Sequence, residues 1–219
     1  MLYELRIYNT VPGRLPALND RFANHTLGFF KKHGIGVLGF WTDDIGASNK
    51  LTYILSFASL ADREQKWNAF QADEGWHQVR AQTESSGPIV AQVLNSFMRL
   101  TPYSPQQPSI RSTIQELRIY DAMPGKLPAL HDRFAKHTMG LFSKHGIDNI
   151  AYWVDEAGTS NRLTYLLGYP DLGAREKSWN AFQADPAWQQ ARAESERDGA
   201  LVRLSRHSIM RPTSYSPRG

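Results

Sequence analysis

Cysteine is absent from the 219-residue chain, which excludes disulfides, thiolate metal sites, iron–sulfur clusters and cysteine nucleophiles together. No apolar run approaches the roughly 18 residues that a membrane helix requires. A block of like charge is missing as well. The 25 basic and 21 acidic residues leave a formal charge of +4, and the densest basic stretch, Arg203 to Arg211, spreads three arginines along a strand-like segment. A nucleic-acid binder concentrates Lys and Arg on one stripe, so no nucleic-acid partner is expected. The HExxH, P-loop, glycine-rich dinucleotide and GxSxG patterns do not occur, and neither a metal site nor a cofactor is read from the chain. The opening residues, MLYELRIY, have the alternation of a strand rather than a basic start followed by an apolar stretch. The expected location is the cytoplasm.

What the chain does contain is itself, twice. ELRIY at Glu4–Tyr8 recurs at Glu116–Tyr120, KHGI at Lys32–Ile35 recurs at Lys144–Ile147, and WNAFQAD at Trp67–Asp73 recurs at Trp179–Asp185. The close TxYSP at Thr101–Pro105 recurs at Thr213–Pro217. A period this long is the size of a small domain, not of a solenoid unit. The expected organisation is a first domain over 1–101, a Pro-, Ser- and Gln-rich linker over 102–112 and a second domain over 113–219.

Within one half, residues 2–8 alternate: Leu5 and Ile7 point one way, Glu4, Arg6 and Tyr8 the other. From Leu15 the apolar period lengthens to three and four through Leu18, Phe22, His25 or Thr26, Phe29 and His33, predicting one amphipathic helix that stops at Gly34. Ile35–Asp43 and Leu51–Phe57 flank the polar loop Gly46–Asn49 and read as a hairpin. A second helical region carries Trp67 and Phe70, with a break at Asp73; its counterpart Asp185-Pro186 is an N-cap followed by a first-turn proline. Val90–Leu100 is the last strand. The order β-α-β-β-α-β is a split βαβ, or ferredoxin-like, unit. Two helices cover one sheet face, so the other needs a partner, and a second copy is tethered to the first. The expected fold class is α+β, two ferredoxin-like domains packed sheet to sheet as an intrachain barrel; two independently solvated domains are the competing arrangement.

Several segments taken together resemble the NIPSNAP family: YELRIY near the start, PGRLPALNDRF opening the first helix, HTLGFFKKHGI closing it, the strand bearing Trp41, and REQKWNAFQADEGW. The resemblance spans nearly the whole chain, once per half. The second half departs where QELRIY replaces YELRIY and Pro186-Ala187 replaces Glu74-Gly75. The resemblance implies the dimeric α/β-barrel superfamily, which hosts cofactor-free monooxygenases, isomerases, haem enzymes and proteins without known activity. It implies no settled biochemical role.

The candidate ligand-binding residues are His25, Trp41, Tyr53 and Trp67, with His137, Trp153, Tyr165 and Trp179. The two histidines are placed on the apolar side of the first helix, where an imidazole acts as base, haem ligand or hydrogen-bond donor, or else is a satisfied core group. The aromatics line a pocket between sheet and helices or are plain core. Asn68 and Asn180 lie beside the tryptophans. Glu4, Arg6 and Tyr8, with Glu116, Arg118 and Tyr120, are expected to meet across the two sheets as an interdomain polar network, since buried charges must be paired; the alternative is an anionic-ligand site on Arg6 and Arg118. His33 and His145 sit in the last helical turn, a structural position that favours a cation. Asp43-Asp44 and Asp155-Glu156 are turn residues.

Three functions follow. The first is a protein that binds a small molecule in each half, extending to a cofactor-independent monooxygenase or isomerase. The second is a non-catalytic protein-interaction module, which needs an exposed apolar patch. Haem binding through His25 or His137 is the third. The oligomeric state is left open: a pseudo-dimer that fills its own sheet interface suits a monomer, and exposed edge strands suit a homodimer.

Overall fold

The computed structural model describes residues 1–217. The first half runs β1 (Leu2–Thr10), α1 (Leu15–Arg21), a π-helical turn (Phe22–Thr26), α2 (Leu27–Lys32), β2 (Gly36–Ile45), β3 (Lys50–Phe57), α3 (Leu60–Gln71), α4 (Glu74–Thr83) and β4 (Val90–Leu100). The second repeats it as β5 (Ile114–Ala122), α5 (Leu127–Arg133), a π turn (Phe134–Thr138), α6 (Met139–Lys144), β6 (Asp148–Ala157), β7 (Arg162–Tyr169), α7 (Leu172–Ala184), α8 (Pro186–Ser195) and β8 (Val202–Pro212). Each half has the ferredoxin-like order, with β1 antiparallel to both β3 and β4 and β2 antiparallel to β3; β5, β7, β8 and β6 repeat these pairings. The expected α+β class, with two repeated ferredoxin-like halves, holds.

Local chemistry accounts for the element ends. Gly34 and Gly146 take the left-handed conformation just after the first helical segment, with φ of 66° and 71°, as a C′ glycine does. Ser59 and Asp73 cap α3 and α4, accepting from the amides of Asp62 and Gly75; Asp171 and Asp185 cap α7 and α8 in the same way. The hairpins turn through Asn49 and Asn161 at positive φ, which asparagine tolerates better than other non-glycine residues.

The π turn is where the structure departs from the even helix expected. Leu18, Phe22, Thr26 and Phe30 are all buried, at successive steps of four. In an unbroken α-helix each such step drifts by about 40°, so the fourth residue would leave the core side. A turn closed by i→i+5 bonds absorbs that drift: the Leu27 amide donates to the Phe22 carbonyl and the Met139 amide to that of Phe134, while the Thr26 and Thr138 hydroxyls donate to the Arg21 and Arg133 carbonyls at 3.2 Å.

Helices and sheet enclose an apolar core in each half. In the first half Leu18, Phe22, Phe30, Phe40, Tyr53 and Phe70 belong to it; in the second, Leu130, Phe134, Phe142, Tyr152, Tyr165 and Phe182 do. Contacts assign the seams differently from the expected boundaries. One unit comprises Met1–Asp43, Ala47–Met98 and 212–217; the other comprises Asp44–Gly46 and Arg99–Arg211. The expected linker 102–112 is therefore built into the second unit, where Ser104 Oγ accepts from the Tyr152 amide at 2.9 Å and Tyr103 meets His131 Nδ1 at 2.7 Å. The closing segment is built into the first, where Ser216 Oγ accepts from the Phe40 amide at 2.9 Å and Tyr215 donates to Asn19 at 2.8 Å.

Candidate ligand clefts

Strand alternation puts Glu4, Arg6 and Tyr8 on one face of β1, and that face turns toward the helices. Arg6 donates from Nε to the Tyr53 hydroxyl at 2.8 Å, from Nη1 to Glu4, and from Nη2 to the Tyr8 hydroxyl at 3.0 Å. Its guanidinium lies 4.4 Å from the Trp67 ring centre. Glu4 also accepts from Arg63 of α3 at 3.0 Å and from Asn95 of β4 at 3.2 Å. The second half repeats this with Arg118 on Tyr165, Glu116 and Tyr120, Arg175 on Glu116, and Trp179 at 4.3 Å.

The interdomain network expected of these six residues is thus corrected. Each set pairs inside its own half, because the face that carries the charges meets helices and not a sheet. Burial alone would disfavour ionised Glu116, but hydrogen bonds and charge from Arg175 and Arg118 outweigh it and hold the carboxyl below its usual range. Burial likewise opposes the Arg118 cation, and the surrounding Tyr165, Tyr120 and Glu116 reverse that and raise its pKa. With all three nitrogens already donating, Arg6 and Arg118 are structural cations rather than open anion sites.

Beside each network lies a cleft between helices and sheet. The one in the second half has a volume of about 580 Å³ and that in the first about 410 Å³. Trp179 and Trp188 line the larger cleft, and Trp67 and Trp76 the smaller. At the larger one, Arg133 ends α5 and is only 5% exposed. Its Nη1 donates to Glu196 at 2.9 Å and to Ser195 at 3.2 Å, and its guanidinium lies 5.3 Å from the Trp188 ring centre. Its Nε is buried and has no hydrogen-bond partner. Arg21 repeats the arrangement with Glu84 at 2.8 Å and Trp76 at 5.7 Å, again with an unpartnered buried Nε. Burial raises the pKa of Glu196, yet the charges and donors of Arg133 and Arg192 prevail and keep it depressed.

The other expected site residues separate. Trp67, Tyr165 and Trp179 line the clefts, while Tyr53 is buried under Arg6. Trp41 and Trp153 are fully buried, but each follows a residue of the helix-side core, Phe40 or Tyr152, so alternation puts them on the opposite sheet face. Neither lines either of the two clefts described. His25 is half-buried and His137 exposed, and neither lines either of these two clefts: the π turn gives the core position to Thr26 and Thr138. His33 and His145 hold the structural role read for them, pairing with Asp73 at 2.8 Å and Asp185 at 2.7 Å. Asp43 and Asp44 pair with Lys50 and Arg211, and Glu156 with Arg99. Asn180 lines the larger cleft. Sequence reasoning missed Arg21 and Arg133, though each sits three residues after a core leucine, where an arginine in an apolar stripe is a signal. Among the described residues no group of three or more His, Asp and Glu could hold a metal ion, and no helix is long and apolar enough to cross a membrane.

Comparison with known proteins adds the following. The NIPSNAP family model matches residues 3–105 and again 115–217. A NipSnap homolog of Dictyostelium discoideum is 24% identical over 195 residues, 85% of this chain and 78% of that protein. A monooxygenase-like protein of Fusobacterium nucleatum superposes with a TM-score of 0.63 at 9% identity, over 99% of this chain and 94% of its own. Another, from Lactobacillus acidophilus, gives 0.62 at 10% identity over 100% and 98%. At such identities these two likenesses concern the fold alone.

Proposed function

The chain belongs to the NIPSNAP family, and on that footing we propose that each half is a small-molecule binding domain whose ligand lies in the cleft between helices and sheet. The observation that carries this reading is the cleft wall itself. In each half two tryptophans and a buried arginine surround open space of about 580 or about 410 Å³, within the range of small-molecule sites. Apolar rings supply contact area, and a few polar groups set orientation. The lining of both clefts contains no histidine, so the reading is one of binding, and an imidazole-based oxidation or haem ligation through His25 or His137 is not adopted.

A thermal-shift screen of the full chain against a metabolite collection tests it, because a ligand that binds only the folded state raises its melting temperature with concentration. The expected result is one or more stabilising compounds whose effect is reduced in Ala200→Trp, a substitution that fills the larger cleft from an exposed position. Compounds that stabilise wild type and Ala200→Trp equally would place binding elsewhere. A screen without hits would remove the reading.

A further inference from the structure

The two clefts are alike in their walls but unlike in charge. Arg118, Arg133, Arg192 and Arg203 line the larger one against a single glutamate, Glu196. Arg6, Arg21 and Arg80 line the smaller one with Glu84, and Ala91 stands where the second half has Arg203. Arg118 and Arg6 are committed to their own networks. Arg133 is not fully committed. Its Nη1 is used, its Nε is buried without a partner, and a buried donor left without an acceptor is costly. A planar guanidinium with donors left unused matches a carboxylate, which accepts two parallel hydrogen bonds.

Arg203 is equally available. Its side chain is 60% exposed and lies 3.8 Å from Asp121, whereas Arg162 and Arg206 hold the same carboxylate at 2.7 Å each. Turning Arg203 toward a ligand leaves Asp121 paired.

We propose that the cleft of the second half takes a flat apolar molecule bearing a carboxylate, anchored on Arg133 with Arg203 as a second contact, and that the cleft of the first half binds the same molecule more weakly. The proposal rests on the cleft reading above and deepens it. Trp179 and Trp188 cover the ring system, Arg133 meets the acid, and Arg203 adds an attraction that Ala91 cannot.

The test titrates the full chain with 2-naphthoate and with its neutral counterpart 2-naphthamide, following the indole N–H signals of Trp67, Trp76, Trp179 and Trp188 by NMR. Naphthoate should move the Trp179 and Trp188 signals at lower concentration than those of Trp67 and Trp76, and the amide should bind about tenfold more weakly or worse. R203A should bring the second cleft down to the affinity of the first, and A91R should raise the first toward the second. Equal binding of acid and amide would overturn the carboxylate anchor while leaving the clefts as binding sites. An affinity order unchanged by R203A and A91R would overturn the role of Arg203. Should neither compound shift an indole signal at about millimolar concentration, the proposal falls; the broader cleft reading falls with it only if the thermal-shift screen is also blank.

Discussion

Arg118 and Arg133 carry the same charge at similar burial, and their neighbours give them different work. Arg118 closes a network with Glu116, Tyr120 and Tyr165. Removing it in Arg118→Met strips one cation from a fully buried carboxylate and should cost about 3 kcal/mol or more, read as a lower urea midpoint at unchanged slope. A loss below about 1 kcal/mol would mean that Arg175 alone satisfies Glu116. For the histidines the expectation is the reverse. His137→Ala removes an exposed imidazole outside the cleft lining, so melting temperature and naphthoate affinity should both stay at wild-type values. A clear loss of affinity would restore the imidazole as a ligand contact.

The π turns and the capping aspartates show how helices are joined to what they pack on. Phe134 and Phe142 are eight residues apart and both buried, a spacing that an α-helix places well off one face and a π turn restores. Deleting His137 brings them to a spacing of seven, which an ordinary α-helix accommodates. The deletion should therefore keep near-ultraviolet circular dichroism and cooperative melting; loss of the tertiary signal would show that the wide turn is itself required. At the other end of this segment, Asp185 caps α8 through the Ala187 amide and takes Lys144 at 2.7 Å and His145 at 2.7 Å. Hydrogen bonds from Lys144 and His145 hold its carboxyl far below the usual carboxylate range. Asp185→Asn keeps an N-cap acceptor and discards the charge. Its melting temperature should fall below wild type near neutral pH, and the gap should close in acid once the wild-type aspartate is protonated. A gap independent of pH would assign the loss to shape.

The molecule as a whole should be acid-sensitive. Asp62, Asp73, Glu84, Glu116, Asp121, Asp185 and Glu196 are all held below their ordinary range. Each depressed carboxyl binds its proton more readily in the unfolded chain, so each contributes stability that is full above the unfolded pKa near 4 and is lost as pH falls through the folded value. Urea midpoints should hold from about pH 7 to 5 and drop steeply below about 4; a flat profile down to pH 3 would mean that these pairs do not govern stability. Divergence between the halves is also a property of the whole chain. One duplicated unit keeps Ala91 and the other Arg203, so walls built on the same tryptophans and arginines come to enclose unequal charge.

The letters alone determined the duplication, the β-α-β-β-α-β order, the hairpins, the glycine stops and the aspartate caps, because each depends on neighbours a few residues away or on a repeat that can be seen directly. They also showed that Glu4, Arg6 and Tyr8 share a face, since alternation is a local property. Which way that face turns was settled only by the three-dimensional packing, where Trp67 and Arg63 arrive from a helix some sixty residues on. The same holds for Trp41, sent to the far side of its sheet, and for Thr26, which takes the core position a regular helix would have given to His25. Arg21 and Arg133 became recognisable as anchors only once Glu84 and Glu196 were seen to occupy part of each guanidinium and leave Nε bare. A hydrogen-bond tally of that kind closes across long sequence separations, and no local pattern encodes it.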